Sequence, residues 1–196
     1  PIREKLLVQA MEFLANDGFD RFNVQRVLDG AGVSRATLYR HFPDVDGLIE
    51  AAMVEIFRQQ VDLNLRAARE LVELSTDKEM FRDGIGRLLE ALSKTPAQVR
   101  ILRAHTVVLG TSRPELGIAV ATVQESLNDG WEEVVRSAQM RGLVRKDLDP
   151  RTVGVLVQSL TIGRIIDEVA VKHMGDTNWA KALFDVLDRA FFTEAI

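Results

Sequence analysis

Residues 23–42 read NVQRVLDGAGVSRATLYRHF, and the fold turns on how this stretch is punctuated. Gly32 stands where one helix has to stop, because glycine enters the left-handed backbone region without a Cβ clash. Ser34 stands where the next must start, since its hydroxyl can accept from the free N–H groups of a first helical turn. Val33 lies between them as an apolar peg. The second helix is expected from Arg35 to about His41, with Leu38 and Phe42 four apart and facing inward together. Its other face offers Arg35, Ala36, Thr37, Tyr39, Arg40 and His41. Residues 34–42 hold two arginines, a histidine and no carboxylate, so this patch suits a polyanion although the chain as a whole carries a net charge of −4. A hairpin of two helices with a solvated basic face fits the turn chemistry as well; a helix-turn-helix with its second helix built for the major groove of DNA is the sharper reading.

The block AGVSRATLYRHFPDVDGL, residues 31–48, resembles the DNA-binding signature of the tetracycline-repressor (TetR) family of transcriptional regulators. The resemblance implies an all-α protein: an N-terminal three-helix helix-turn-helix DNA-binding domain, followed by a larger helical ligand-binding and dimerisation domain. It covers the first quarter of the chain by motif, and the rest by length and helical character alone. Three positions depart from the family pattern. Asn23 replaces the usual threonine cap, Leu28 the usual alanine at a close helix approach, and Val45 the usual lysine that meets phosphate, so that this backbone contact does not carry over from the resemblance.

Working outward, residues 2–17 place Ile2, Leu6, Ala10, Phe13 and Leu14 at helical spacing, and Asn23 is a suitable cap for the second helix. Phe13, Phe19, Phe22, Val27, Leu28, Leu38 and Phe42 are the candidates for a small shared core. Pro43 breaks the chain, and Asp44 or Asp46 can cap a fourth helix from near Val45 to about Leu74. Helical patterns follow around Met80 to Leu92, over 97–109, and over 115–141 with Gly142 as a stop. From Val153 to Val169 the pattern is apolar on nearly every side, and a helix of that kind must be covered on every side. The last helix, 178–193, also has more apolar face than one core needs. The helices about 150–170 and 178–193 are therefore expected to form a homodimer interface, where the resembled family dimerises. By function, 1–46 divide from 47–196.

With 196 residues, 46% hydrophobic and 28% charged, the chain has the composition of an ordinary globular protein. The absence of cysteine excludes disulfides and thiolate chemistry. No apolar run approaches the roughly 18 residues needed to span a bilayer, so no membrane is expected, and a cytoplasmic location is. Pro1 stands in place of a methionine, so further residues are expected upstream, with room there for a basic arm.

Enzyme motifs are missing: there is no Gly-rich phosphate loop, no G-x-S-x-G and no H-E-x-x-H, and His41, His105 and His173 are too scattered to share a metal. No catalytic residue, metal or cofactor is expected. The expectation is a sequence-specific regulator that binds a palindromic double-stranded DNA operator as a homodimer. Repression, released by a small-molecule effector, is implied by the resemblance alone. Asn23, Ser34, Arg35, Ala36, Thr37, Tyr39, Arg40 and His41 are the DNA-binding candidates. Arginine at 35 and 40 can pair bidentately with guanine, Thr37 can touch a base edge or thymine methyl, and Ser34, Tyr39 and His41 match phosphate-binding positions of the family. For an effector the candidates are Arg103, His105 and Thr106 on one helix, Gln124, Asn128 and Trp131 on the next, and Gln158 and Thr161 within the apolar helix; core packing or a solvated face accounts for the same residues. Three other readings stay open: a regulator of the same fold that activates or is controlled by a protein partner, an all-helical small-molecule carrier or interaction module that never meets DNA, and an enzyme with an unrecognised site.

Overall fold

The turn at Gly32 forms as its residues require. In the computed structural model, which describes residues 1–192, Gly32 has φ 67° and ψ 38°. Its N–H donates to the Asp29 carbonyl at 3.1 Å, and the Val33 N–H donates to the Leu28 carbonyl at 3.1 Å. This pair of reversed bonds is the Schellman closure of a helix. The same closure recurs at Gly142, φ 71°, where the Leu143 N–H reaches the Ala138 carbonyl at 2.9 Å.

Ten helices are described and, among these residues, no strand. They are α1 (Ile2–Asp17), α2 (Val24–Ala31), α3 (Arg35–Tyr39), α4 (Val45–Leu74), α5 (Lys78–Ser93), α6 (Ala97–Gly110), α7 (Pro114–Met140), α8 (Pro150–Gly163), α9 (Ile165–Glu168) and α10 (Asp176–Phe192). The starts of α2, α4, α5 and α8 are each marked by a capping side chain. Asn23 accepts from the Arg26 N–H at 3.2 Å, Asp44 from Gly47 at 2.7 Å, Asp77 from Met80 at 2.8 Å, and Asp149 from Thr152 at 2.8 Å. The Asp77 carboxyl is held below the usual carboxylate range mainly by its backbone hydrogen bond from Met80, and that of Asp149 mainly by the Thr152 hydroxyl.

The chain divides into two compact units. The first comprises Pro1–Gln60 and Gln98–Val123. Its core is built from α1, α2, α3, the start of α4 and α6: Leu6, Ala10, Phe13, Leu14, Val27, Leu28, Ala31, Leu38, Phe42, Leu48, Ile49, Ala52, Met53 and Leu102 are buried together. Phe19, Phe22 and Val45 pack against that cluster while remaining partly exposed. Phe13 and Phe22 meet edge to face at 5.6 Å. The first division between the units falls after Gln60, within α4, and Leu48, Ile49, Ala52 and Met53 belong to the same core as α1 to α3.

The second unit takes Val61–Ala97 and the chain from Gln124 onward. In it α5 packs on α10, with Phe81 and Phe192 edge to face at 6.2 Å. Gly154 brings α8 so close to α7 that a Cβ there would lie 2.6 Å from the Trp131 Cβ. The apolar stretch expected as one helix over 153–169 is broken: α8 ends at Gly163, and Arg164 leads into the short α9. The Arg164 side chain is buried, donates to the Ser93 carbonyl at 2.8 Å, pairs with Asp176 and lies over the Trp179 ring at 5.2 Å. Those three partners, distant in sequence, fix the chain where periodicity would have run on. The expected end of the last helix at Thr193 lies outside the described residues. Among the described residues, no helix is long and apolar enough to cross a membrane.

Candidate nucleic-acid interface

Helix α3 is short and held at both ends. Ser34 Oγ accepts from the Thr37 N–H at 3.2 Å and lies 3.0 Å from Thr37 Oγ1. Arg40 Nη2 donates to the same Thr37 Oγ1 at 3.2 Å. Thr37 Oγ1 accepts from Arg40 and also shares a hydrogen bond with the Ser34 hydroxyl, giving one chain of bonds from Arg40 through Thr37 to the cap. Leu38 is fully buried and Phe42 nearly so, which turns the opposite face outward.

Arg35, Ala36, Tyr39, Arg40 and His41 are exposed on that face, as is Ser34; Tyr39 is 51% exposed, far more than an uncommitted tyrosine in a core. Arg35 makes no hydrogen bond or ion pair among the described residues. Thr37 differs from its neighbours on the helix. It is 9% exposed, so in the free protein it contributes through the arginine it holds. Asn23 is spent on capping α2. The geometry offers a row of exposed cationic and hydroxyl side chains on a helix anchored by Leu38 and Phe42, which suits reading of the major groove.

The residues expected to face an effector fall into two separate groups. In the first unit, Arg103 is largely buried with its guanidinium over the Phe57 ring at 5.0 Å, and burial draws it down to about 10. His105 meets Phe19 edge to face at 4.8 Å, and the buried Thr106 hydroxyl donates to the Leu102 carbonyl at 2.7 Å. In the second unit, Gln124 Nε2 donates to Asn128 Oδ1 at 2.9 Å and Gln158 Oε1 at 2.7 Å, while Gln158 Nε2 donates to Asn128 Oδ1 at 3.1 Å. Thr161 donates to the Gln158 carbonyl at 2.8 Å, and Trp131 lies against Gly154. Periodicity gave no sign of Phe57 as the ring beneath Arg103, since the two residues belong to helices far apart in sequence. Among the described residues no group of three or more His, Asp or Glu side chains could hold a metal ion.

A basic helix seated on a three-helix core and followed by a long helical body defines a helix-turn-helix DNA-binding regulator. Residues 6–52 match the family model described as bacterial regulatory proteins, tetR family. Over that stretch the chain carries the DNA-binding helix-turn-helix of the tetR family of bacterial regulatory proteins. Along almost its whole length it is similar to the HTH-type transcriptional regulator UidR of Escherichia coli strain K12, at 23% identity over 183 residues covering 93% of this chain and 89% of that protein. Its fold is that of a TetR-family regulator from Mesorhizobium loti, with TM-score 0.75, 16% identity and coverage of 97% and 96% of the two chains. A transcriptional regulator from Saccharomonospora viridis, solved in complex with choline, shares the fold with TM-score 0.71 at 17% identity, covering 96% of each chain.

Proposed function

We propose that this regulator is a cytoplasmic repressor that binds a palindromic operator as a homodimer and leaves it when a small molecule binds the helical body. Residues 1–46 read DNA, and 47–196 bind effector and partner. The observation that carries the reading is the exposed row Arg35, Tyr39, Arg40 and His41 on a helix free of carboxylates. Arg35 and Arg40 take base edges, Tyr39, His41 and Ser34 take phosphates, Ala36 allows close approach, and Thr37 and Asn23 set the angles of the two helices. Effector control is supported by the choline held in the S. viridis regulator of the same fold. It is supported too by the polar residues set among apolar ones: Arg103, His105 and Thr106 in one group, and Gln124, Asn128, Trp131, Gln158 and Thr161 in the other.

Selection of random duplex DNA on the purified protein tests this, at two salt concentrations and with Arg35→Ala and Arg40→Ala variants. A palindromic motif should survive the higher salt, because specific contacts outlast the phosphate term. Each arginine pairing with guanine contributes roughly 1–3 kcal/mol and the homodimer makes the pair twice, so each variant should bind the motif more weakly by about 30-fold or more and relax selection at one position per half-site. No enriched motif from well-folded protein would return the carrier reading.

A further inference from the structure

Arg103 is a largely buried cation with three of its five N–H donors unused. Its Nε and Nη2 are buried and have no hydrogen-bond partner, and no carboxylate pairs with it among the described residues. These two nitrogens form one edge of the guanidinium, with parallel N–H bonds that match the two oxygens of a carboxylate. The same edge is filled by carboxylates elsewhere in this chain. Arg82 Nε donates to Asp188 Oδ1 and Nη2 to Oδ2 at 2.8 Å, and Arg145 Nε donates to Asp147 Oδ1 at 2.7 Å with Nη2 on Oδ2. Those two pairs sit on the surface, where an empty edge would cost little because water serves it. At Arg103 water is largely excluded, and leaving the edge empty is costly.

The Phe57 ring lies under the guanidinium, Leu102 beside it on α6 is buried, and the buried Thr106 directs its hydroxyl proton into the helix. An anion that reaches the free edge therefore leaves water behind, and only a partner matched to both N–H groups offsets that cost. Burial without a counter-ion weakens the hold of Arg103 on its proton, as expected of a cation awaiting one.

We propose that Arg103 is the anion-binding group of the effector site, and that the effector is a small carboxylate whose two oxygens take its free edge. This rests on the effector-controlled reading above and narrows it: an acid is favoured, and a quaternary ammonium such as choline is disfavoured at this position.

Benzoate and hexanoate, their neutral amides benzamide and hexanamide, and choline are titrated into the free full-length protein, read by thermal melting and by the side-chain ¹⁵Nε resonance of Arg103. Both carboxylates should raise Tm and move that resonance, and the amides and choline should do neither. Arg103→Met, which keeps the stem and removes the edge, should weaken benzoate binding about tenfold or more. Free of an unpaired buried charge, it should melt at or above the wild-type temperature. Equal response to acid and amide, no response to either acid, or an unchanged benzoate affinity in Arg103→Met would overturn the proposal. If Arg103→Met melts well below wild type, Arg103 is a structural residue and the proposal also fails. Because binding is read without DNA, its failure leaves operator selection standing. Benzoate binding with no motif in the DNA selection would instead remove the regulator reading and keep the site.

Discussion

Ser34 serves the recognition helix before any DNA arrives. It caps the Thr37 N–H and receives the end of the chain of bonds that begins at Arg40. Removing its hydroxyl in Ser34→Ala should cost about 1 kcal/mol through the lost cap, which for a domain of this size lowers Tm by roughly 2–4 °C. Thermal melting and operator titration together separate the cap from the proposed phosphate contact. A lower Tm is the cap's signature; weaker DNA binding with an unchanged Tm would leave only the phosphate role. The cap itself was legible in the sequence, because serine after a glycine stop has a local meaning. The bond from Arg40 to Thr37 was not, since threonine on a short amphipathic helix reads equally as an outward group, and burial of its side chain depends on how α3 seats against the three-helix core.

At the scale of elements, the turn between α2 and α3 is the part most strictly set by one residue. Gly32 has open space around its missing Cβ, so a substitution there meets backbone strain and nothing else. Gly32→Ala should destabilise by roughly 1–2 kcal/mol, the cost of a Cβ in the left-handed region. Gly163→Ala is the matched control: the glycine ends α8, is not in the left-handed region and also has open space, so alanine should stabilise by up to about 1 kcal/mol through helix propensity. Chemical denaturation of both variants checks the pair, and a neutral Gly32→Ala would mean that the turn is not left-handed in solution. Helix ends marked by a cap or a glycine were readable from sequence, as α1 and α4 show by ending at Asp17 and Leu74 as expected. The end of α8 was unreadable: nothing local distinguishes Arg164 from a solvated arginine, and its burial is settled by Ser93, Asp176 and Trp179.

For the whole molecule, the open matter is what covers α8 and α10. Val153 and Val157 face the core of their unit, as do Ala180, Leu183 and Leu187. Val155 and Leu156 remain 45% and 46% exposed, and Val186 on α10 51%. On α8, Arg151 is already paired with Glu125 at 2.7 Å and Asp129 at 2.9 Å. Exposed apolar residues on both helices are what the proposed two-fold interface requires, and sequence showed only the excess of apolar residues, without saying which of them the chain would cover itself. A carboxylate placed in the middle of such a strip would have to be desolvated twice per dimer, once for each copy, with no partner to meet it. Leu156→Glu and Val186→Glu should therefore yield folded monomers in sedimentation velocity at concentrations where the wild type is a dimer. Val108→Glu, at an apolar residue 65% exposed in the other unit, should leave the dimer intact. The same monomers should lose the palindrome, because two recognition helices roughly 34 Å apart are needed to read both half-sites together, while each single half-site keeps its arginine contacts. A wild type that sediments as a monomer, or a Leu156→Glu protein that stays dimeric, would place the interface elsewhere and leave the exposed faces of α8 and α10 without that role.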